Sequence, residues 1–254
     1  MSQKHRLEQI MDLIQTSGFL TTEQLVDEFG VTPQTIRRDL NELARQNRLR
    51  RHHGGAGVDS STANTAYQQR KIMNLEAKER IANALVKHIP DNASMFINIG
   101  TTTETIAKAL LQKRGLSIVT NNLHVASILS AKEDFHIIIA GGEVRNRDGG
   151  IVGEAAVDFI NQFKMDYGII GISGIHPDGS LLDFDYREVR VAQSIIANST
   201  EVLLAADHSK FGRNAMVRLG SIGQADHLFT DTQPPEKIRK LLEMNGVELH
   251  ITDK

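Results

Sequence analysis

The chain has 254 residues, with 29 Lys and Arg against 31 Asp and Glu for a formal net charge of −2, and it contains neither cysteine nor tryptophan. The lack of cysteine excludes a disulfide framework, cysteine-ligated zinc and a thiol nucleophile. The N-terminus is polar and no apolar run approaches a membrane span, so neither signal peptide nor anchor is expected, as for a cytoplasmic protein.

Residues 5–17 carry apolar positions at helical spacing (Leu7, Ile10, Met11, Leu13, Ile14) and stop at Ser17-Gly18. Thr21-Thr22-Glu23-Gln24 then predicts a capped helix start, with Leu25, Val26 and Phe29 on its inner face and Gly30 as a break. A further helix starts at Thr32, which can cap the free amides, and Pro33 needs no donor at the first helical position. Ile36, Leu40 and Leu43 share one face, while Gln34, Arg37 or Arg38, Asn41 and Arg45 share another. Helix, short turn and basic helix form the arrangement that lays its second helix in the major groove.

Residues 48–56 (Arg-Leu-Arg-Arg-His-His-Gly-Gly-Ala) predict a short hairpin turning at Gly54-Gly55, which would be the wing of a winged helix. Residues 1–57 hold eight Lys/Arg and seven Asp/Glu, but residues 37–53 set six arginines against two acids. Phosphate contacts depend on such local clustering. Candidate DNA contacts are therefore Thr32, Gln34, Thr35, Arg37, Arg38, Asn41 and Arg45, with Arg48, Arg50 and Arg51 on phosphates. The competing reading is a solvated helix face on which Arg38 pairs with Glu42.

The expected organisation is a DNA-binding domain over 1–58, a polar linker over 59–74 and an α/β effector-binding and oligomerisation domain over 75–254. A helix with Ile81, Ala84, Leu85 and Ile89 on one face begins near Leu75 and closes at Pro90-Asp91. Strands are expected at 95–99, 116–119, 136–140, 167–170, 201–205, 227–230 and 248–251. Helices around 103–111, 122–130, 154–162, 186–197 and 235–244 separate most of them. Such alternation predicts a mostly parallel, doubly wound sheet.

Ligands of open α/β sheets bind beyond the carboxyl ends of the strands, where helix N-termini present free amides. Those ends here read Gly100-Thr101-Thr102-Thr103, Thr120-Asn121-Asn122, Gly141-Gly142-Glu143, Gly171-Ile172-Ser173-Gly174 and Asp207-His208-Ser209-Lys210. The set suits a small polyhydroxylated phosphate, with the phosphate on the Thr101–Thr103 turn near Lys210 and with Asn121, Asn122 and Asp185 on hydroxyl groups. Arg145, Arg147 and Arg213 are further candidates, although Arg145-Asn-Arg-Asp148 could equally serve an oligomer contact. Each loop also has a bland reading: the threonines as helix caps, Gly141-Gly142 as a tight turn, Lys210 as a solvated lysine. No metal site is expected, because the ten histidines show no ligand spacing beyond His52-His53.

Arg6, Ile10 and Ile14 followed by Thr32 and Thr35-Ile36-Arg37-Arg38-Asp39-Leu40 resemble the helix-turn-helix signature of DeoR-family bacterial repressors. Residues 1–57 resemble it throughout, and the remainder resembles the family's sugar-phosphate-sensing domain. Residues 51–56, 149–155 and 207–217 carry a closer likeness within the family. The resemblance implies a homodimer or homotetramer held on double-stranded operator DNA. It would be released by a small phosphorylated metabolite, glycerol 3-phosphate or another sugar phosphate, with no cofactor and no membrane partner. It also implies a fold like ribose-5-phosphate isomerase, whose enzymes use a carboxylate and a lysine. Residues 171–175 have serine and glycine where acids are expected, and 184–188 lack a lysine beside the glycine-rich turn, so binding without catalysis is the expectation.

Overall fold

The computed structural model describes residues 3–17, 19–46, 48–52, 54–57 and 65–252. The chain divides into two compact units, Met1–Leu75 and Glu76–Lys254.

In the first unit the order is α1 (Gln3–Ser17), β1 (Phe19–Thr21), α2 (Thr22–Phe29), α3 (Pro33–Arg45), β2 (Arg50–His52), β3 (Gly55–Gly57) and α4 (Tyr67–Ile72). The predicted caps form. Thr21 and Gln24 exchange bonds in a capping box (2.9 and 3.1 Å), Gly30 ends α2 in the left-handed region, and Thr32 accepts from the Thr35 amide with Pro33 behind it. Ile10 and Ile14 of α1, Leu25 of α2, and Ile36, Leu40 and Leu43 of α3 are all fully buried in one core. This is the helix-turn-helix geometry, and an antiparallel sheet in the order β1-β3-β2 forms the wing.

Two details of the wing differ from expectation. The turn precedes Gly55, with Gly54 at φ +83°, because Gly55 already belongs to β3. A Cβ on Gly55 would sit 2.3 Å from the Leu20 carbonyl oxygen, so this glycine permits close packing against β1. Strand β1 is too short for an alternation signal. Helix α4 lies within the stretch expected to be linker; residues 59–64 of that stretch, Val58 before it, His53 of the turn and the Gly18 helix stop lie outside the described residues.

The second unit begins with α5 (Leu75–His88) and continues with β4 (Ser94–Ile97), α6 (Thr101–Leu110), β5 (Ser117–Thr120), α7 (Leu123–Leu129) and β6 (His136–Ile139). Then come β7 (Glu143–Arg145), β8 (Gly150–Val152), α8 (Glu154–Ile160), β9 (Met165–Gly171), β10 (Gly174–Ile175), β11 (Ser180–Asp183) and α9 (Tyr186–Ala197). The chain finishes with β12 (Ser199–Ala205), β13 (Val217–Ser221), β14 (His227–Thr230), α10 (Glu236–Asn245) and β15 (Glu248–Ile251). Seven strands form a parallel sheet in the order β15-β14-β12-β9-β4-β5-β6, so the strand order reverses between β4 and β9.

Side-chain alternation along these strands supplies two cores. Phe96, Val119, Ile170, Leu204 and Leu228 pack under α8, α9 and α10, while Met95, Ile97, Ile118, Ile169 and Leu203 pack under α5, α6 and α7. Strands buried on both faces read as continuous apolar runs, which is why they were visible in the sequence. The hairpin β7–β8 and the antiparallel sheet β10-β11-β13 were not anticipated; their strands are two to five residues long. Among the described residues no helix is long and apolar enough to cross a membrane.

Candidate functional site

On the first unit α3 presents Gln34, Arg37, Arg38, Asn41 and Arg45 to solvent opposite its buried face. Arg37 and Arg38 make no ion pair among the described residues. The pairing of Arg38 with Glu42 does not form, since Glu42 is bound by Arg45 (2.6 Å) and Gln46 (2.9 Å). Thr32 and Thr35 share a hydroxyl bond of 2.9 Å at the start of the helix. On the wing, Arg50 is exposed and Arg51 is half-buried. Burial and the nearby Arg37 push the Arg51 guanidinium below its usual range, and its Nη1 has no hydrogen-bond partner among the described residues. An anion between Arg37 and Arg51 would relieve the repulsion and satisfy that nitrogen. Arg48 is placed differently from its expected phosphate role: both of its Nη atoms bind the Glu8 carboxylate, at 2.9 and 2.8 Å.

On the second unit the strand-order reversal sets the ends of β5, β4, β9 and β12 side by side. Asn98 links the two middle ends, accepting from the Gly171 amide (2.9 Å) and donating to the Gly171 carbonyl (3.3 Å). Helix α6 follows β4, and its N-cap, Gly100, provides no side-chain bond to the first-turn amides. Those amides face the loop with the helix dipole behind them, the arrangement that receives an anion.

Two lysines lie at this place, Lys78 buried and Lys210 only partly so. Lys78, from α5, donates to the Thr101 hydroxyl at 3.1 Å and is 2% exposed. Lys210 Nζ is 4.0 Å from Asp207, whose carboxylate is buried. Burial would raise the Asp207 pKa, but Lys210, Lys78 and the Ser209 bonds outweigh it and hold the group below the usual carboxylate range. His208 beside them is held above its ordinary value by a 2.6 Å bond to Asp231.

Family models and relatives agree with this architecture. The model of the DeoR-like helix-turn-helix domain matches residues 6–62, and that of the DeoR C terminal sensor domain matches residues 73–232. The chain belongs to the DeoR family. Its relatives include the glycerol-3-phosphate regulon repressor of Escherichia coli (strain K12), 55% identical over 99% of this chain and 100% of that one. The glycerol-3-phosphate regulon repressor of Haemophilus influenzae is 51% identical over 96% of this chain and 95% of that one. Among solved structures, ribose 5 phosphate isomerase A from Neisseria gonorrhoeae aligns at TM-score 0.40 and 16% identity, covering 53% of this chain and 52% of that one. The named repressors are regulators of transcription, not enzymes.

Within this DeoR-family sensor domain the expected effector residues separate into two groups. Thr101, Thr102, Thr103 and Lys210 come together at the reversal with Gly100. Thr103, however, spends its hydroxyl on the Asn98 and Gly100 carbonyls (2.8 and 2.7 Å). Asn121 and Asn122 lie at the adjacent strand end, and each is partly committed: Asn121 donates to the Ile151 carbonyl (2.9 Å) and Asn122 caps α7. The Asn121 Oδ1 and Asn122 Nδ2 remain buried with no partner among the described residues, the groups a ligand hydroxyl would satisfy.

The others are committed to contacts within the protein. Gly141 and Gly142 follow β6 at the sheet edge, where Gly142 has φ +149° and a Cβ would meet Ile151 and the Val152 carbonyl at 3.0 Å, so they turn the chain into the hairpin. Asp185 caps α9 and binds Arg145 at 2.9 Å. Arg145 is buried and also binds Asp148 (2.8 Å twice) and Glu188 (2.6 Å). Burial opposes its charge, but Glu188 and Asp148 outweigh it and raise the guanidinium above its usual range. Arg213 is buried, donates to the Ser173 carbonyl (3.3 Å) and lies over the Phe184 ring. Two residues were missed. Lys78 sits on the helix before β4, far from any strand end in sequence, and Asp39 shows its role only through its long-range partner Arg6. The one sequence signal for Lys78 is a lysine on the otherwise apolar face of α5.

Proposed function

We propose that this chain represses genes of glycerol 3-phosphate metabolism from the cytoplasm, binding operator DNA through α3 and the wing. Glycerol 3-phosphate releases it by binding at the ends of β4, β5, β9 and β12. The DNA-binding unit spans 1–58 in this reading, and the unit from 75 onward binds effector and forms the oligomer. Operator half-sites repeat with twofold symmetry, which favours a homodimer or a homotetramer. The observation that carries the ligand reading is the meeting of Lys78 and Lys210 beside an α6 terminus with no side-chain cap. The names of the two relatives above support the choice of phosphate ester.

Release requires that the ligand bind the weakly DNA-binding arrangement better than the other. A coupling of about 1–3 kcal/mol lowers operator affinity roughly 5–150-fold. The test is fluorescence anisotropy on labelled operator DNA, titrated first with glycerol 3-phosphate and then with other sugar phosphates. Release by glycerol 3-phosphate at the lowest concentration is expected. Selective release by a different ester would keep the repressor and replace its inducer.

A further inference from the structure

At the opposite edge of the large sheet, where the strands begin, the fold collects three histidines and two glutamates. His88 is the last residue of α5, Glu201 lies early in β12, and His227 and Glu248 open β14 and β15, with His250 two positions on. His88 Nε2 is 3.2 Å from Glu201 Oε2, and His227 Nε2 is 3.3 Å from the same oxygen. The three donor atoms lie within 4.8 Å of one another.

We infer that His88, His227 and Glu201 bind a divalent transition-metal ion of the zinc class, separate from the effector site. Zinc takes imidazole nitrogen at about 2.0–2.1 Å and carboxylate oxygen at about 2.0–2.2 Å, so neighbouring vertices of its tetrahedron lie about 3.3–3.5 Å apart. The two nitrogen–oxygen separations here match that edge. Two imidazoles with one carboxylate suit zinc, cobalt or nickel, whereas magnesium and calcium take oxygen ligands.

The outer contacts agree. With His227 Nε2 on the ion, its Nδ1 carries the proton and donates to His250 Nε2, 3.0 Å away. Such a second bond fixes tautomer and ring orientation in metal sites. His250 is in turn stacked on Phe229, with ring centroids 4.3 Å apart and planes 8° from parallel. His227 has only one lone pair to give, so the second cluster it forms with Glu248 and His250 serves as its support and not as a second simultaneous site. The side chains of Glu201 and His88 are 41% and 29% exposed, which leaves a vertex for water and a path for entry. A bound ion would fasten the end of α5 to β12 and β14.

The experiment uses the full-length protein, stripped with EDTA and titrated with Zn²⁺ against a chromophoric chelator, and separately with Co²⁺ followed by visible absorption. One Zn²⁺ per chain is expected, with a tetrahedral Co²⁺ spectrum. Both are lost in Glu201→Gln and in His88→Gln, and His250→Phe weakens binding about 10–100-fold. Circular dichroism and operator binding report folding of each variant; should Glu201→Gln fail to fold, His88→Gln at the helix end carries the test. No uptake at micromolar Zn²⁺ would leave a hydrogen-bonded cluster only and overturn the inference. Uptake and a Co²⁺ spectrum unchanged in His88→Gln would place the ion elsewhere and do the same.

Discussion

Arg6 Nε lies 2.6 Å from Asp39 Oδ2, joining α1 to α3, and both side chains are buried. Gln3 adds a 3.1 Å bond to the other oxygen of Asp39. Asp39 adjoins Arg38 in sequence yet points inward, so a residue of the basic helix works as its anchor. Removing one partner strands a buried charge, at a cost of about 3–5 kcal/mol. Asp39→Ala is therefore expected to lower the melting temperature and to lose operator binding with it. Lost binding at an unchanged melting temperature would instead make Asp39 a residue of the DNA surface.

Arg38→Ala separates surface from scaffold in the opposite sense. Arg38 is exposed and makes no ion pair among the described residues, so its loss is expected to leave the melting temperature unchanged while specific operator affinity falls by about 1–3 kcal/mol. Arg48→Ala costs less, because Arg48 is already bound to Glu8. Anisotropy with operator and scrambled DNA across a salt series measures both. A larger loss for Arg48→Ala would contradict the assignment.

At the sensor site, Lys210→Ala and Lys78→Met are each expected to bind operator normally and to ignore glycerol 3-phosphate. Titrating labelled operator complexes with effector reads this directly. Release at the same concentration as the parent protein in both variants would remove the lysines from the site.

Arg145→Ala tests a different kind of residue. It leaves Asp148, Asp185 and Glu188 facing one another without their shared cation. A loss of about 3–5 kcal/mol in denaturant unfolding is expected. A stable variant defective only in induction would return Arg145 to the effector site.

His208 gives a pH signature. Its bond to Asp231 is the largest cause of its raised pKa; Asp207 adds to it, and burial and Lys210 oppose it. A pKa raised on folding means that the stabilisation is complete below the ordinary histidine value of about 6.5 and is lost as pH rises through the raised value. The melting-temperature gap between parent and His208→Asn should thus be wider at pH 6 than at pH 9. A gap independent of pH would show that the imidazolium–carboxylate pair adds nothing.

Much of the fold was legible because its signals are local. Caps such as Thr21, Thr32 and Gly30 act within four residues, and strands buried on both faces announce themselves as apolar runs. The short strands β1, β7, β8 and β10 fall below that signal, since two or three residues cannot display a period. The exposed basic face of α3 was readable for the same reason as the helix that carries it. At the proposed effector site, position in sequence relative to a strand end led to Thr101 and Lys210. It could not show that the Asp185 carboxylate is bound by Arg145 from forty positions away.

From the sequence alone came the order of the main helices and the large-sheet strands, the basic helix and the family, all of which rest on neighbours along the chain. Only the tertiary structure decided which charges are already spent. It bound Arg48 to Glu8, enclosed Arg145 in three carboxylates, brought Lys78 to Thr101, and set His88 beside Glu201 across 113 positions. The physical reason is that a side chain's chemistry depends on what desolvates it and what charge lies within a few ångströms. In a parallel sheet those neighbours come from strands far apart in the chain.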